Sequence, residues 1–236
     1  MARGDARDGQ SQGNERRFSE VLSRLKSTGA ALLVVGDLPH RLHARACRQM
    51  LGSTAHATRR RLFVSTTTGP STGAFEHSTL PADESKTQLI RYETTHRSTA
   101  ASRPAGDISL STTVLDGSLG ELGIEISRAI ERFNNTANGL DAAELRLCFD
   151  SLTPLLDRDR EMLFQFLHVL IGRVKSVNGM SHFHLPRSRT TEAVAMLESL
   201  FDAIVELRLQ DEMLQQRWHF PDEDWTTRWL SPSDPS

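Results

Sequence analysis

Two histidines one residue apart, His182 and His184, and an aspartate closing an apolar run, Asp150, are the residues whose types and spacing could do chemistry. Side chains alternate along a strand, so in MSHFHL both histidines point to the same face. A His-x-His pair with a carboxylate can bind Zn²⁺ or Fe²⁺ once a further donor joins it. His168, on a separate helix, is the remaining candidate donor. Against this, the spacing matches no recognised metal motif, and histidines on a core strand also serve by hydrogen bonding internally. Asp150 and the Ser151 that follows it end the run LRLCFD. The carboxyl ends of strands are where α/β sheets carry ligands, yet a strand-end carboxylate can equally act as a local hydrogen-bond acceptor. The structural reading is preferred for both groups, because function rests on a site and not on a fold.

These residues are embedded in alternating apolar runs and amphipathic segments. Residues 1–15 are polar and Gly-rich, with too little apolar surface to offset the entropy of ordering, and are expected to be disordered. Residues 16–221 read as one domain and 222–236 as a tail pinned by Trp225 and Trp229. Phe18, Val21, Leu22 and Leu25 recur at helical spacing up to Gly29. AALLVV (30–35) is a continuous apolar run, the pattern of a strand buried on both faces. A helix over His40–Leu51 and strands over Arg60–Thr66 and Gln88–Glu93 follow. Residues 67–86 and 94–113 are rich in Ser, Thr, Gly and Pro and read as long loops. Ser118 and Glu121 form a capping box that opens a helix with the stripe Leu119, Leu122, Ile126, Ala129, Ile130 and Phe133. ELRLCFD (144–150) is the next strand. Asp157 is expected to cap the helix carrying Leu163, Phe166, Leu167, Leu170, Ile171 and Val174. The strand MSHFHL, an amphipathic helix over 191–201 and a hairpin of AIVELRL with LQQRWHF complete the pattern. Strands alternate with helices almost throughout, which predicts a three-layer α/β/α sandwich with a mostly parallel sheet and a C-terminal antiparallel hairpin.

The order of these pieces resembles the RecA/KaiC-like branch of the P-loop ATPases. LRLCFDSL resembles that group's Walker B strand, with its aspartate and serine. The long helix and NGMSHFHLP resemble the next helix and strand, which in the family lies between the Walker A and Walker B strands. LFDAIVELRL resembles its closing strand, and GAALLVVGD stands where the Walker A strand belongs. The phrases GM-x-HFHLP and DSL-x-PLL also resemble a set of uncharacterised archaeal proteins. The departure lies in the loop after the first strand. A P-loop needs glycine-freed N–H groups around the phosphates, a lysine, and Ser/Thr on Mg²⁺. GDLPHRLHARAC has one glycine, no lysine and no such hydroxyl, while Pro39 removes a donor. Arg41 or Arg45 could supply positive charge, although a guanidinium is no geometric substitute for lysine.

The resemblance therefore implies a degenerate RecA/KaiC-like domain without ATPase activity or cofactor, acting in protein interaction or regulation, with a protein partner or a homo-oligomer. Two alternatives stand beside it. One is a nucleotide binder using Arg41, Arg45, Asp150 and Ser151 in an altered cradle for ATP and Mg²⁺. The other is a metal-dependent hydrolase on Asp150, His182 and His184. Composition bounds the rest. A net charge of −2 in 236 residues gives no general pull toward nucleic acid or anionic membrane. Arg59–Arg61 reads as a solvated run without an accompanying recognition motif. No apolar stretch reaches the roughly 18 residues of a membrane span, and the first residues lack a secretory core. Cys47 and Cys148 lie in apolar runs and read as reduced, packed thiols of a cytoplasmic protein.

Overall fold

The structure is a computed structural model that describes the backbone of residues 5–52, 58–66, 86–93, 111–115, 117–156 and 158–231, and side chains within these except 5–12 and 111–115. It is a mixed α/β fold on one nine-stranded sheet, ordered β4-β3-β2-β5-β6-β1-β7-β8-β9. The strands are β1 (Ala30–Val35), β2 (Arg60–Ser65), β3 (Thr87–Tyr92), β4 (Ser111–Leu115), β5 (Leu145–Asp150), β6 (Met180–Leu185), β7 (Ala203–Gln210), β8 (Met213–Phe220) and β9 (Trp225–Thr226). β1 to β7 pair in parallel, and β8 and β9 add the antiparallel edge. The helices are α1 (Asp5–Thr28), α2 (His40–Leu51), α3 (Leu119–Ala137), α4 (Thr153–Leu156), α5 (Arg160–Lys175) and α6 (Glu192–Leu197). No described helix is long and apolar enough to cross a membrane.

Parallel strands buried on both faces must be apolar on both, and β1 divides its six residues accordingly. Ala31, Leu33 and Val35 join the core beneath α3, α5 and α6. Ala30, Leu32 and Val34 join a second core with Val21 and Leu25 of α1, Ala46 of α2 and Leu207 and Trp218 of the hairpin. β6 lies beside β1 on one side and β5 on the other. Phe183 of β6 fixes that centre: it stacks on Phe149 at 5.6 Å and meets Phe201 edge-on at 5.5 Å. Gly29 turns α1 into β1 at φ 78°, where a Cβ would come within 2.9 Å of the Asn178–Gly179 backbone. Only glycine fits there.

Several sequence expectations change. α1 begins at Asp5, within the stretch expected to be disordered, although its core contacts start at Phe18. β4 occupies the end of a segment read as loop. Its Thr-Thr-Val supplies the β-branched character of a strand, but five residues are too few to show a pattern. The rest of that loop and residues 67–85 fall outside the described residues. Asp159, not Asp157, caps α5, accepting from the Met162 N–H at 3.0 Å; Asp157 is not among the described residues. The arginine run is not a solvated face. Arg60 and Arg61 are buried, and Arg60 pairs with Glu144 and lies over the Phe133 ring. The capping box of Ser118 and Glu121 is present. At the far edge Trp225 stacks on Phe220 at 5.3 Å, and Trp229 receives the guanidinium groups of Arg208 and Arg217 at 4.0 and 4.5 Å.

Phe183→Ala removes a fully buried ring from the junction of β5, β6 and the 201 turn. Cavity formation predicts a loss of about 3–5 kcal/mol, read from urea denaturation. A loss well under 1 kcal/mol would mean that this centre is not packed as described.

Candidate metal centre

One face of β5 and β6 carries unusual side chains for a sheet interior. The register pairs Cys148 with His182 and Asp150 with His184. By strand alternation all four point away from Phe149 and Phe183, toward α2. α2 answers with His40, His43 and Cys47, spaced three and four residues apart and hence on one helical stripe. Contacts along the helix follow in order. His40 Nε2 meets Asp150 Oδ2 at 2.6 Å, His43 Nδ1 meets His184 Nδ1 at 3.2 Å, and Cys47 Sγ lies 3.1 Å from His182 Nε2. The two sulfurs, Cys47 and Cys148, are 3.0 Å apart. Cys47, Cys148, His43, His182, His184 and Asp150 are all buried, and Phe63, Leu51 and Leu89 form an apolar wall around the thiols.

The hydrogen-bond pattern determines which ring nitrogens are free. The Gly36 carbonyl can only accept, so His43 Nε2–H donates to it, at 2.9 Å. Burial lowers the pKa of His43 and keeps it neutral, which leaves its Nδ1 as an acceptor. His184 Nδ1–H must then donate to His43, which leaves His184 Nε2 as an acceptor. That Nε2 is buried with no hydrogen bond of normal geometry among the described residues. The chain from a carbonyl through one imidazole to the next is the outer support that metal-ligating histidines characteristically have. Gly36 is itself constrained: at φ 147° a Cβ would meet the Leu207 carbonyl at 2.6 Å.

Electrostatics favour the donor forms of the two imidazoles and of Cys47. Burial, with a smaller push from Arg146, lowers His182 to about 3, and burial also lowers His184, so both are neutral imidazoles. Burial opposes ionisation of Cys47, but neighbouring Cys148 and His184 outweigh it and bring the thiol down to about 7. Cys148, buried beside that sulfur, is pushed up. One ligand atom from each of Cys47, Cys148, His182 and His184 lies within 4.8 Å of the others. Tetrahedral zinc, with bonds of roughly 2.0–2.3 Å, needs its donors roughly 3.3–3.8 Å apart. The sulfur pair at 3.0 Å would have to part and donors as far as 4.8 Å apart would have to close by about 1–1.5 Å to hold such an ion.

The residues singled out from the sequence are distributed unevenly around this cluster. Asp150, Ser151, His182 and His184 are together and buried. Ser151 is occupied through its backbone, its N–H donating to Thr66 Oγ1 at 3.1 Å. Arg41 and Arg45 lie exposed on α2, while His40 of the same helix is the side chain that meets Asp150 Oδ2. His168 is exposed on α5, across the sheet. Asp150 is engaged by His40, and the donors that accompany His182 and His184 are the two cysteines that sequence reasoning took as packing. Reading H-x₂-H-x₃-C in the expected helix over 40–51 as one stripe would have found His40, His43 and Cys47; the same letters were legible only as a failed phosphate loop.

All seven of these side chains fall within residues 29–207, the span matched by a family of unknown function, DUF7504. The chain belongs to that family. No curated protein matches it. The DUF7504 span opens at the Gly29 turn and closes in β7, so it takes in β1, α2, β5 and β6 but not α1, β8 or β9.

The His40–Asp150 pair gives this DUF7504 protein a pH signature. Its hydrogen bond to Asp150 raises the pKa of His40. Asp150 is lowered, because that bond and the nearby imidazoles outweigh its burial. The stabilisation is present above the ordinary aspartate range, fully so below about 6.5, and is lost as pH rises through the raised value of His40. In metal-free protein, His40→Ala should cost about 1.5–3 kcal/mol near pH 6 and progressively less at alkaline pH. Urea denaturation of both proteins across a pH series checks this, and a pH-independent difference would refute an ionic pair.

Proposed function

We propose that this chain is a RecA/KaiC-like, three-layer α/β/α domain that has exchanged nucleotide chemistry for a buried zinc centre and acts in protein interaction or regulation, not catalysis. The observation that carries the reading is the convergence of two thiols and two neutral imidazoles, all buried, with donor atoms within 4.8 Å. A mixed set of two sulfurs and two nitrogens is the donor chemistry of tetrahedral zinc. Structural zinc sites use four protein donors, whereas catalytic ones keep a position open to substrate. Four protein donors behind α2, beneath an apolar wall, favour the structural kind. When bound, the ion would tie α2 to β5 and β6 and neutralise the thiolates.

The architecture supports the relationship. β6 lies between β1 and β5, the order that the resemblance implies for these strands. Separate cores lie against the two faces of the sheet, under α3, α5 and α6 and under α1 and α2. In that frame α2 corresponds to the helix after a phosphate loop and Asp150 to a magnesium-binding aspartate. His40 holds that carboxylate instead, and Arg41 and Arg45 face solvent. These features favour the metal reading over a nucleotide site. A cytoplasmic setting suits it, since reducing compartments keep thiols available to metal. Its output would be a surface offered to a protein partner or a second copy.

Metal analysis of protein purified without chelator should give about one zinc per chain, as a single tetrahedral site requires. Cobalt substitution should produce thiolate charge-transfer absorption and intense tetrahedral ligand-field bands. His43→Ala leaves all four donors but removes the support of His184, and should weaken zinc about 10–100-fold in a competition titration. Calorimetry with MgATP should give no binding heat. Zinc content unchanged in Cys148→Ser, or tight MgATP binding, would sink the proposal.

A further inference from the structure

Two of the four donors can react with each other. Cys47 Sγ and Cys148 Sγ are in contact at 3.0 Å, both are free thiols, and they lie 101 residues apart in the chain, one on the helix and one on the central sheet. A disulfide needs the sulfurs about 2.05 Å apart, an approach of roughly one ångström from the observed contact. No side chain has to leave for this to happen. His182, whose Nε2 lies 3.1 Å from Cys47 Sγ, holds that sulfur toward its partner. Zinc requires the opposite movement, because two sulfurs bound to one ion stand roughly 3.8 Å apart at bond lengths of about 2.3 Å. Disulfide sulfur is moreover a poor ligand, since the metal binds thiolate. The same atoms therefore cannot serve both states.

We propose that Cys47 and Cys148 form a reversible dithiol–disulfide couple that excludes the metal, so that oxidation by a small hydroperoxide releases zinc and cross-links α2 to β5. This rests on the zinc reading for its metal half only. In the first step the Cys47 sulfur attacks a peroxide oxygen, the O–O bond breaks and one water leaves, giving a sulfenic acid. The Cys148 sulfur then attacks Cys47 Sγ, the S–O bond breaks and a second water leaves. Two thiols lose two hydrogens and two electrons in all, and one hydrogen peroxide becomes two waters. From the loaded protein, two protons from solvent take the place of the two thiol protons and one Zn²⁺ is freed. A dithiol reductant reverses the sequence, and zinc can rebind. Both sulfurs are fully buried, so hydrogen peroxide reaches them faster than a bulky disulfide does, and larger reagents such as a dithiol or dimedone act through local opening of α2.

The test treats metal-free and zinc-loaded full-length protein with hydrogen peroxide. Intact mass and a chromogenic zinc chelator are followed together. The expected result is loss of two hydrogens in both samples, one zinc freed per disulfide formed, slower oxidation of the loaded form, and full reversal by dithiothreitol. Cys148→Ser should instead stop at a sulfenic acid on Cys47 that dimedone traps. Because that variant also loses a ligand, Cys47–Cys148 linkage in the wild-type protein is confirmed independently by peptide mapping without reduction. If the loaded protein gains oxygen at cysteine, or both thiols remain free in the metal-free form, the couple is overturned while the zinc reading stands. If the metal-free protein closes its disulfide reversibly but zinc never binds, the zinc reading fails and the competition with it, leaving the thiol couple alone supported.

Discussion

β6 has to satisfy two opposite demands at the centre of the sheet. On one face Phe183 and Leu185 require an apolar neighbourhood, and on the other His182 and His184 require hydrogen-bonding partners or a metal. A buried polar group without a partner costs roughly 1–3 kcal/mol, so the second face constrains whatever covers it. α2 is the element that meets this constraint. To the apolar cores it gives Ala46, with Leu42 and Met50 beside it, on the hairpin side and Leu51 in the wall around the thiols. Its side chains also match the polar groups of β5 and β6 one by one. The position of α2 is thus set by these polar matches as well as by hydrophobic area.

That arrangement also orders the charges. Asp150, at the carboxyl end of β5, is buried but meets the partly covered His40, whereas His182 and the thiols meet one another in the interior. The pair keeps a charged group near the edge, while the interior holds neutral imidazoles. Charge at depth would be costly unless matched, and two thiolates would be matched by a divalent cation. Along α2 the contacts thus run from an ion pair through neutral rings to sulfur.

Much of the fold was legible because buried parallel strands leave continuous apolar runs. AALLVV, MSHFHL and the hairpin segments stand where expected, and α2 spans His40–Leu51 as read. β4 was missed since five residues, two of them threonine, resemble a loop. The α5 cap shifted to Asp159 because two aspartates compete two residues apart and only geometry decides between them. The site was half legible. His182 and His184 declare themselves through strand alternation, but Cys148 reads as packing until its neighbour across the layers is known. Sequence carries no direct sign that residue 47 will stand over residue 148. Only the parallel order of β5 and β6, together with the return of α2 across them, brings the two sulfurs into contact.

The short β9 at the end of the sheet bears on how the molecule behaves in company. An edge strand offers unpaired N–H and C=O groups on which another chain can extend the sheet. Here β8 is eight residues long, and β9 covers only its last part, pairing at His219 and Phe220. The chain then runs on along β8, where a further bridge from Leu230 engages Gln216. The stacked Trp225 and the arginine-held Trp229 fasten this wrap in place. The C-terminal segment thus acts as a selvedge over residues 216–220 of β8, the stretch where it lies along that margin.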